Sequence, residues 1–85
     1  KPSSSAHYFS SRGDTYKELN MLKEALDDYS NAIERNPDGN GDYYSARGLT
    51  YKALSMWMEA LTDFCKAIEI NPANESYYTY RGNIL

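Results

Sequence analysis

Apolar and aromatic positions recur along the chain at three- and four-residue steps, in blocks separated by short polar breaks. Tyr8, Phe9, Arg12, Gly13, Tyr16 and Leu19 fall on one face of a helix. Leu22, Ala25, Leu26, Tyr29, Ala32 and Ile33 form a second stripe of the same period. The breaks carry turn chemistry. Asn20 and Ser55 sit between stripes and suit a tight turn that caps the following helix. Asn36-Pro37 and Asn71-Pro72 close the second stripe of each pair, because a residue before proline avoids helical backbone angles. The pattern predicts helices over 7–19, 22–35, 41–54, 57–70 and 76–84. Residues 1–5, Lys1-Pro2-Ser3-Ser4-Ser5, lie outside it and read as a linker or a cut end.

The stripes repeat. Aligning residues 6–39 with 41–74 gives 18 identical columns out of 34, far beyond what a shared helical period alone requires. Arg12/Arg47, Gly13/Gly48, Tyr16/Tyr51, Ala25/Ala60, Asp28/Asp63, Ala32/Ala67 and Pro37/Pro72 are among them. A third copy begins at Tyr77-Tyr78-Thr79-Tyr80-Arg81-Gly82. Gly13 to Gly48 is 35 residues and Gly48 to Gly82 is 34, while glycine to proline is 24 in both full copies. The extra residue therefore falls in Pro37-Asp38-Gly39-Asn40-Gly41, where an insertion costs little. The units expected are 6–39, 40–74, and 75–85 as the first helix of a third copy that acts as a cap. A stack of repeats generally needs about three units to be stable, so a piece of a longer repeat protein, or a module stacking through its open ends, is expected.

Gly13 and Gly48 lie inside helices, where glycine costs about 1 kcal/mol relative to alanine. Their recurrence points to close approach of a neighbouring helix, with Tyr16/Tyr51 and Tyr29/Phe64 as the large partners. A repeated Arg with a repeated Asp points to a partly buried ion pair that sets how helices dock. Spacing leaves open whether Arg47 meets Asp63 of its own copy or Asp28 of the preceding one.

An aromatic, Gly four later, Tyr three later, Ala nine later, an aromatic four later, Ala three later and Pro five later resembles the tetratricopeptide repeat family. Phe9, Gly13, Tyr16, Ala25, Tyr29, Ala32 and Pro37 supply it once, and Tyr44, Gly48, Tyr51, Ala60, Phe64, Ala67 and Pro72 again. The third copy supplies Tyr78 and Gly82, with Leu85 at the place of the family's Tyr. One departure recurs: the family often has Leu before the Gly, where this chain has Arg12, Arg47 and Arg81. The resemblance implies an all-α solenoid of antiparallel helix hairpins, five helices in a right-handed superhelix, whose first helices line a concave groove for a peptide or partner helix. Carried over by position, that groove takes His7, Ser10, Ser11, Asp14 and Lys17 from the first copy and Asp42, Ser45, Ala46, Leu49 and Lys52 from the second. Ser76, Thr79, Tyr80 and Asn83 come from the third. Members that grip the acidic C-terminus of heat-shock chaperones use a Lys/Asn/Arg clamp. Its places here hold Ser10, Asp14, Ala46, Ser76 and Tyr80, so no clamp binding is expected. Lys17 and Lys52 share a repeat position and would favour an acidic ligand if they stack. Tyr80 would be an aromatic anchor or a cover for the end of the stack.

Composition narrows the chemistry. The net charge of −3 gives no electrostatic support for nucleic acid or a membrane surface, and the implied partner is a protein or peptide. Cys65 and His7 are each the sole residue of their type, which removes zinc ribbons, redox Cys pairs and His clusters. Cys65 reads as a small buried side chain in a reducing compartment, with a cytoplasmic location expected. Neither a phosphate-binding Gly loop nor a catalytic constellation is apparent, so the reading is a scaffold without cofactor or enzymatic activity. The alternative is a structural or self-assembly segment. Asn74-Glu75-Ser76 matches a glycosylation acceptor. Trp57 reads as a larger version of Leu22 in the hairpin core, and Met58 as exposed.

Overall fold

The structure, a computed structural model, describes residues 2–84, with side chains from Ser5 to Ile84. Lys1 and Leu85 lie outside the described residues. Five helices follow one another: α1 Pro2–Glu18, α2 Leu22–Arg35, α3 Gly41–Ala53, α4 Trp57–Ile70 and α5 Glu75–Ile84. No strand occurs among the described residues. Short connections make successive helices antiparallel neighbours. The smallest dimension, 17 Å, fits two layers of helices each about 10 Å across. Four helix positions agree with the periodic pattern to within a residue. The exception is α1, which starts at Pro2 instead of near residue 7 and so includes most of the stretch read as a linker. Proline is compatible with the first turn of a helix, and a polar stretch carries no apolar stripe by which to recognise one.

The turns explain two of the boundaries. Asn20 and Ser55 have φ of 62° and 61°, in the left-handed region. Asn20 N–H donates to the Lys17 carbonyl and Met21 N–H to that of Tyr16, at 3.0 and 2.8 Å. Ser55 and Met56 do the same to Lys52 and Tyr51. This is the Schellman closure of a helix C-terminus. The expected role is therefore corrected: Asn20 and Ser55 terminate the preceding helix, and Met21 and Met56 stand at the next N-cap without a side-chain bond. N-capping appears instead between hairpins. Asn40 Oδ1 accepts from Asp42 N–H at 2.8 Å, and Asn74 Oδ1 from Ser76 N–H at 2.9 Å. The α2–α3 connection spans residues 36–40 and the α4–α5 connection 71–74, which places the extra residue in the loop, as the spacing implies.

The core runs through every helix: Ala6, Ala32, Ile33, Tyr43, Tyr44, Ala67 and Tyr77, with Phe9, Ile68, Ile70 and Tyr80 against it. Within each hairpin a ring seats on a glycine. A Cβ on Gly13 would stand 2.9 Å from Tyr29 Cε1, and one on Gly48 2.7 Å from Phe64 Cε1. Both rings are fully buried, each contributing about 1.5–3 kcal/mol by removal from water.

The Arg–Asp pairing resolves to the same repeat. Arg12 holds Asp28 through Nε and Nη2, both at 2.8 Å, and Arg47 holds Asp63 identically. Arg47 also reaches back to the preceding hairpin, donating from Nη1 to Ser30 Oγ at 3.2 Å. One guanidinium thus ties α2, α3 and α4 together. The bidentate contact raises the Arg47 pKa, and burial raises that of Asp63 against the pull of Arg47.

Two side chains, Trp57 and Cys65, depart from expectation. Trp57 is half exposed and not in the hairpin core, because it is the first residue of α4 and projects beyond the packed face. Cys65 is exposed, since it stands one residue after the buried Phe64 and so points away. Asn74 of the glycosylation-like tripeptide serves as a helix cap. Met58 is exposed, as its charged counterpart Lys23 suggests.

Candidate functional site

Helices α1 and α3 are the first helices of successive hairpins, and they lie side by side with a cleft of about 390 Å³ between them. Its lining is His7, Ser10, Asp14, Lys17, Tyr29, Asn40, Asp42, Tyr43, Ser45, Ala46 and Leu49. Positions 7, 10, 14 and 17 share a face of α1 through their three- and four-residue spacing, and 42, 45, 46 and 49 do so on α3. The structure therefore brings together His7, Ser10, Asp14, Lys17, Asp42, Ser45, Ala46 and Leu49. Ser11, Lys52, Ser76, Thr79, Tyr80 and Asn83 do not line this cleft. Tyr80 instead packs on Phe64, ring centroids 5.5 Å apart, and Ser76, Thr79 and Asn83 are exposed on α5.

Two carboxylates in the cleft are held from behind by tyrosines. Tyr29, from α2, donates its hydroxyl to Asp14 Oδ1, and Tyr77, from α5, donates to Asp42 Oδ1. Burial first, then the bond to the carboxylate, pushes both phenols above their ordinary range. Lys17 stands beside Asp14, and partial burial lowers its pKa while Asp14 raises it. Ser45 is turned onto the backbone, donating to the Asp42 carbonyl at 3.1 Å. The cleft thus offers two anchored carboxylates, one amine and the apolar Leu49 side chain. Among the described residues no His, Cys, Asp and Glu cluster could hold a metal ion.

Tyr29, Asn40 and Tyr43 are lining residues that position-by-position reading missed. A signal for Tyr29 does exist. The first copy pairs Asp14 with Tyr29, the second Leu49 with Phe64, so the hydroxyl and its acceptor change together.

A second opening of about 310 Å³ lies between Arg47, Tyr51, Met58, Glu59, Thr62 and Asp63. It is bounded by the docking ion pair. No helix among the described residues is long and apolar enough to cross a membrane.

Comparison with known proteins agrees with this architecture. No curated protein matches the chain in sequence. Among solved structures, the TPR domain of Arabidopsis OM64 superposes with a TM-score of 0.94 at 24% identity, over 99% of this chain and 69% of that one. The first TPR of Spaghetti (RPAP3), solved with the HSP90 peptide SRMEEVD, gives 0.93 at 24%, over 96% and 64%. The TPR2B domain of yeast Sti1, solved in a pHsp70 complex, gives 0.92 at 27%, over 96% and 65%. The chain spans about two thirds of the length of each of these structures. Tetratricopeptide repeat models match residues 6–38 and, separately, residues 41–74. With its two glycine-seated hairpins and these two matches, the chain belongs to the tetratricopeptide repeat family.

Proposed function

We propose that the chain is a protein–protein interaction scaffold that takes a peptide or partner helix in the α1–α3 cleft, without carboxylate-clamp recognition of chaperone C-termini. The family supports the coarse reading, since its repeats are generally non-catalytic interaction modules. The observation that carries the finer one is the cleft itself, in which residues of two successive first helices converge on one 390 Å³ space. The two solved neighbours with chaperone peptides make the ligand class worth distinguishing. Here Ser10, Asp14 and Ala46 stand at the clamp places on α1 and α3, and Asp14 and Asp42 would repel an acidic peptide tail. Lys17 alone, beside Asp14, does not reverse that sign.

Peptides selected from a random display library on the 85-residue chain, then measured by calorimetry, test this reading. Binding should fall about tenfold or more on Leu49→Arg and stay unchanged on Met58→Ser, which lies outside the cleft. The peptide SRMEEVD should give no measurable heat. Selected binders indifferent to Leu49→Arg would reject the cleft as the site, and tight binding of SRMEEVD would reject the exclusion of clamp ligands.

A further inference from the structure

Four aspartates accept hydrogen bonds from side chains among the described residues, and the donors divide them into two pairs. Asp28 and Asp63 are each gripped by the arginine of their own hairpin, every contact at 2.8 Å. Asp14 and Asp42 each receive only a neutral hydroxyl, on Oδ1, from Tyr29 and Tyr77. Their Oδ2 atoms accept no hydrogen bond among the described residues, and no cation there stands within salt-bridge distance of either carboxylate. The two donor rings are buried, so each hydroxyl is a fixed point that orients its carboxylate before any ligand arrives. The negative surface runs past the cleft. A neighbouring opening of about 320 Å³ is lined by Asp14, Lys17 and Glu18, so it shares two residues with the cleft and adds a third carboxylate. Over the two openings three carboxylates stand against one lysine. Lys52, which the repeat position would stack with Lys17, does not line either of them. On the α3 wall, Ala46 and Leu49 make an apolar strip.

We propose that the α1–α3 cleft takes a basic peptide, whose arginine or lysine side chains meet Asp14 and Asp42 and whose apolar side chain lies on Ala46 and Leu49. The inference rests on the cleft reading above and adds the charge of the ligand. A cation there completes two carboxylates whose only partners are neutral, and it displaces no existing ion pair. At Asp28 or Asp63 it would have to evict an arginine first. The methylene stem of arginine or lysine can lie along the apolar strip while its charged end reaches a carboxylate. An acidic segment would instead face three carboxylates with Lys17 as its one attractive contact.

The random display library selected on the 85-residue chain supplies the probes. Peptides whose binding falls on Leu49→Arg are cleft ligands, and these should be enriched in arginine and lysine over the starting library. Their affinity in calorimetry should drop about fivefold on Asp14→Asn and again on Asp42→Asn, the effect of one partly exposed charge pair. It should also weaken as salt is raised. The amide keeps an oxygen for the tyrosine hydroxyl, so circular dichroism should stay helical. Asp27→Asn, exposed on α2 outside the cleft, should leave affinity unchanged. If an Asn variant unfolds, the basic enrichment and the salt dependence decide. Cleft ligands with no excess of basic residues, or with affinity indifferent to both Asn variants, would overturn the charge assignment and leave the cleft reading standing. If no selected peptide responds to Leu49→Arg, the cleft reading fails and this inference with it.

Discussion

Tyr29 and Asp14 in the first hairpin, Phe64 and Leu49 in the second, show how one packing position accepts two chemistries. A ring seated on the glycine is constant; the hydroxyl is present only where a carboxylate receives it. A buried hydroxyl without an acceptor costs about 1–3 kcal/mol, whereas removing both partners together is close to neutral. Asp14→Leu alone should therefore destabilise the chain by that amount, and Tyr29→Phe alone by about 1 kcal/mol. The double variant, which copies the second hairpin, should be less destabilised than the sum by about 0.5 kcal/mol or more. Urea denaturation of the four proteins checks this, and strictly additive losses would contradict it. The same residues explain part of the tyrosine content. Tyr29 and Tyr77 are buried rings whose hydroxyls each find a carboxylate at the edge of the cleft.

At the level of elements, each first helix carries a glycine at the same repeat position, but the three do not experience the same neighbour. Gly48→Ala would drive a Cβ to 2.7 Å from Phe64 Cε1, and that ring is fully buried with no space to retreat. Overpacking of this kind costs about 1–3 kcal/mol, more than the roughly 1 kcal/mol that alanine gains in helix propensity. Gly82→Ala meets no such contact and should stabilise α5 by about 0.5–1 kcal/mol. Thermal melts of the two variants should move in opposite directions. Equal shifts of the same sign would mean that the glycines are not set by helix approach. The recurrence of glycine was legible in the sequence. That nothing among the described residues stands against Gly82 was not, because an identical residue reports its place in the repeat and not its neighbour.

For the molecule as a whole, pH acts through two tyrosine–carboxylate bonds, one inside the first hairpin and one joining α5 to α3. Tyr29 and Tyr77 have folded pKa values raised above the unfolded value of about 10, so the folded state holds their protons more tightly. Their contribution is complete below pH 10 and is lost as pH climbs toward the raised values, so stability should fall above about pH 10. Lys17 acts in the opposite sense. Its lowered pKa means that the folded state loses that proton earlier, so stability rises slightly with pH until the unfolded lysine also titrates, near 10.4. Denaturation midpoints should therefore decline between about pH 10.5 and 11.5, and Tyr77→Phe should flatten the decline. A curve that keeps its slope in Tyr77→Phe would place the titrating groups elsewhere.

Apart from the start of α1, the sequence by itself determined the helices, the two-hairpin repeat and the loop that holds the extra residue. All of these depend on local backbone period, on proline and glycine, and on spacing within one chain segment. What periodicity leaves free is the rotation and crossing of one helix against another, and only the tertiary structure decided what depends on it. It assigned each arginine to the aspartate of its own hairpin and gave Arg47 a second hold on Ser30. It turned Tyr80 onto Phe64, Cys65 outward and Tyr29 through to the cleft. It also showed that no helix among the described residues lies on the α5 face that carries Tyr78, Arg81 and Gly82, because complementarity across a packing interface is a property of two elements and cannot be read from one.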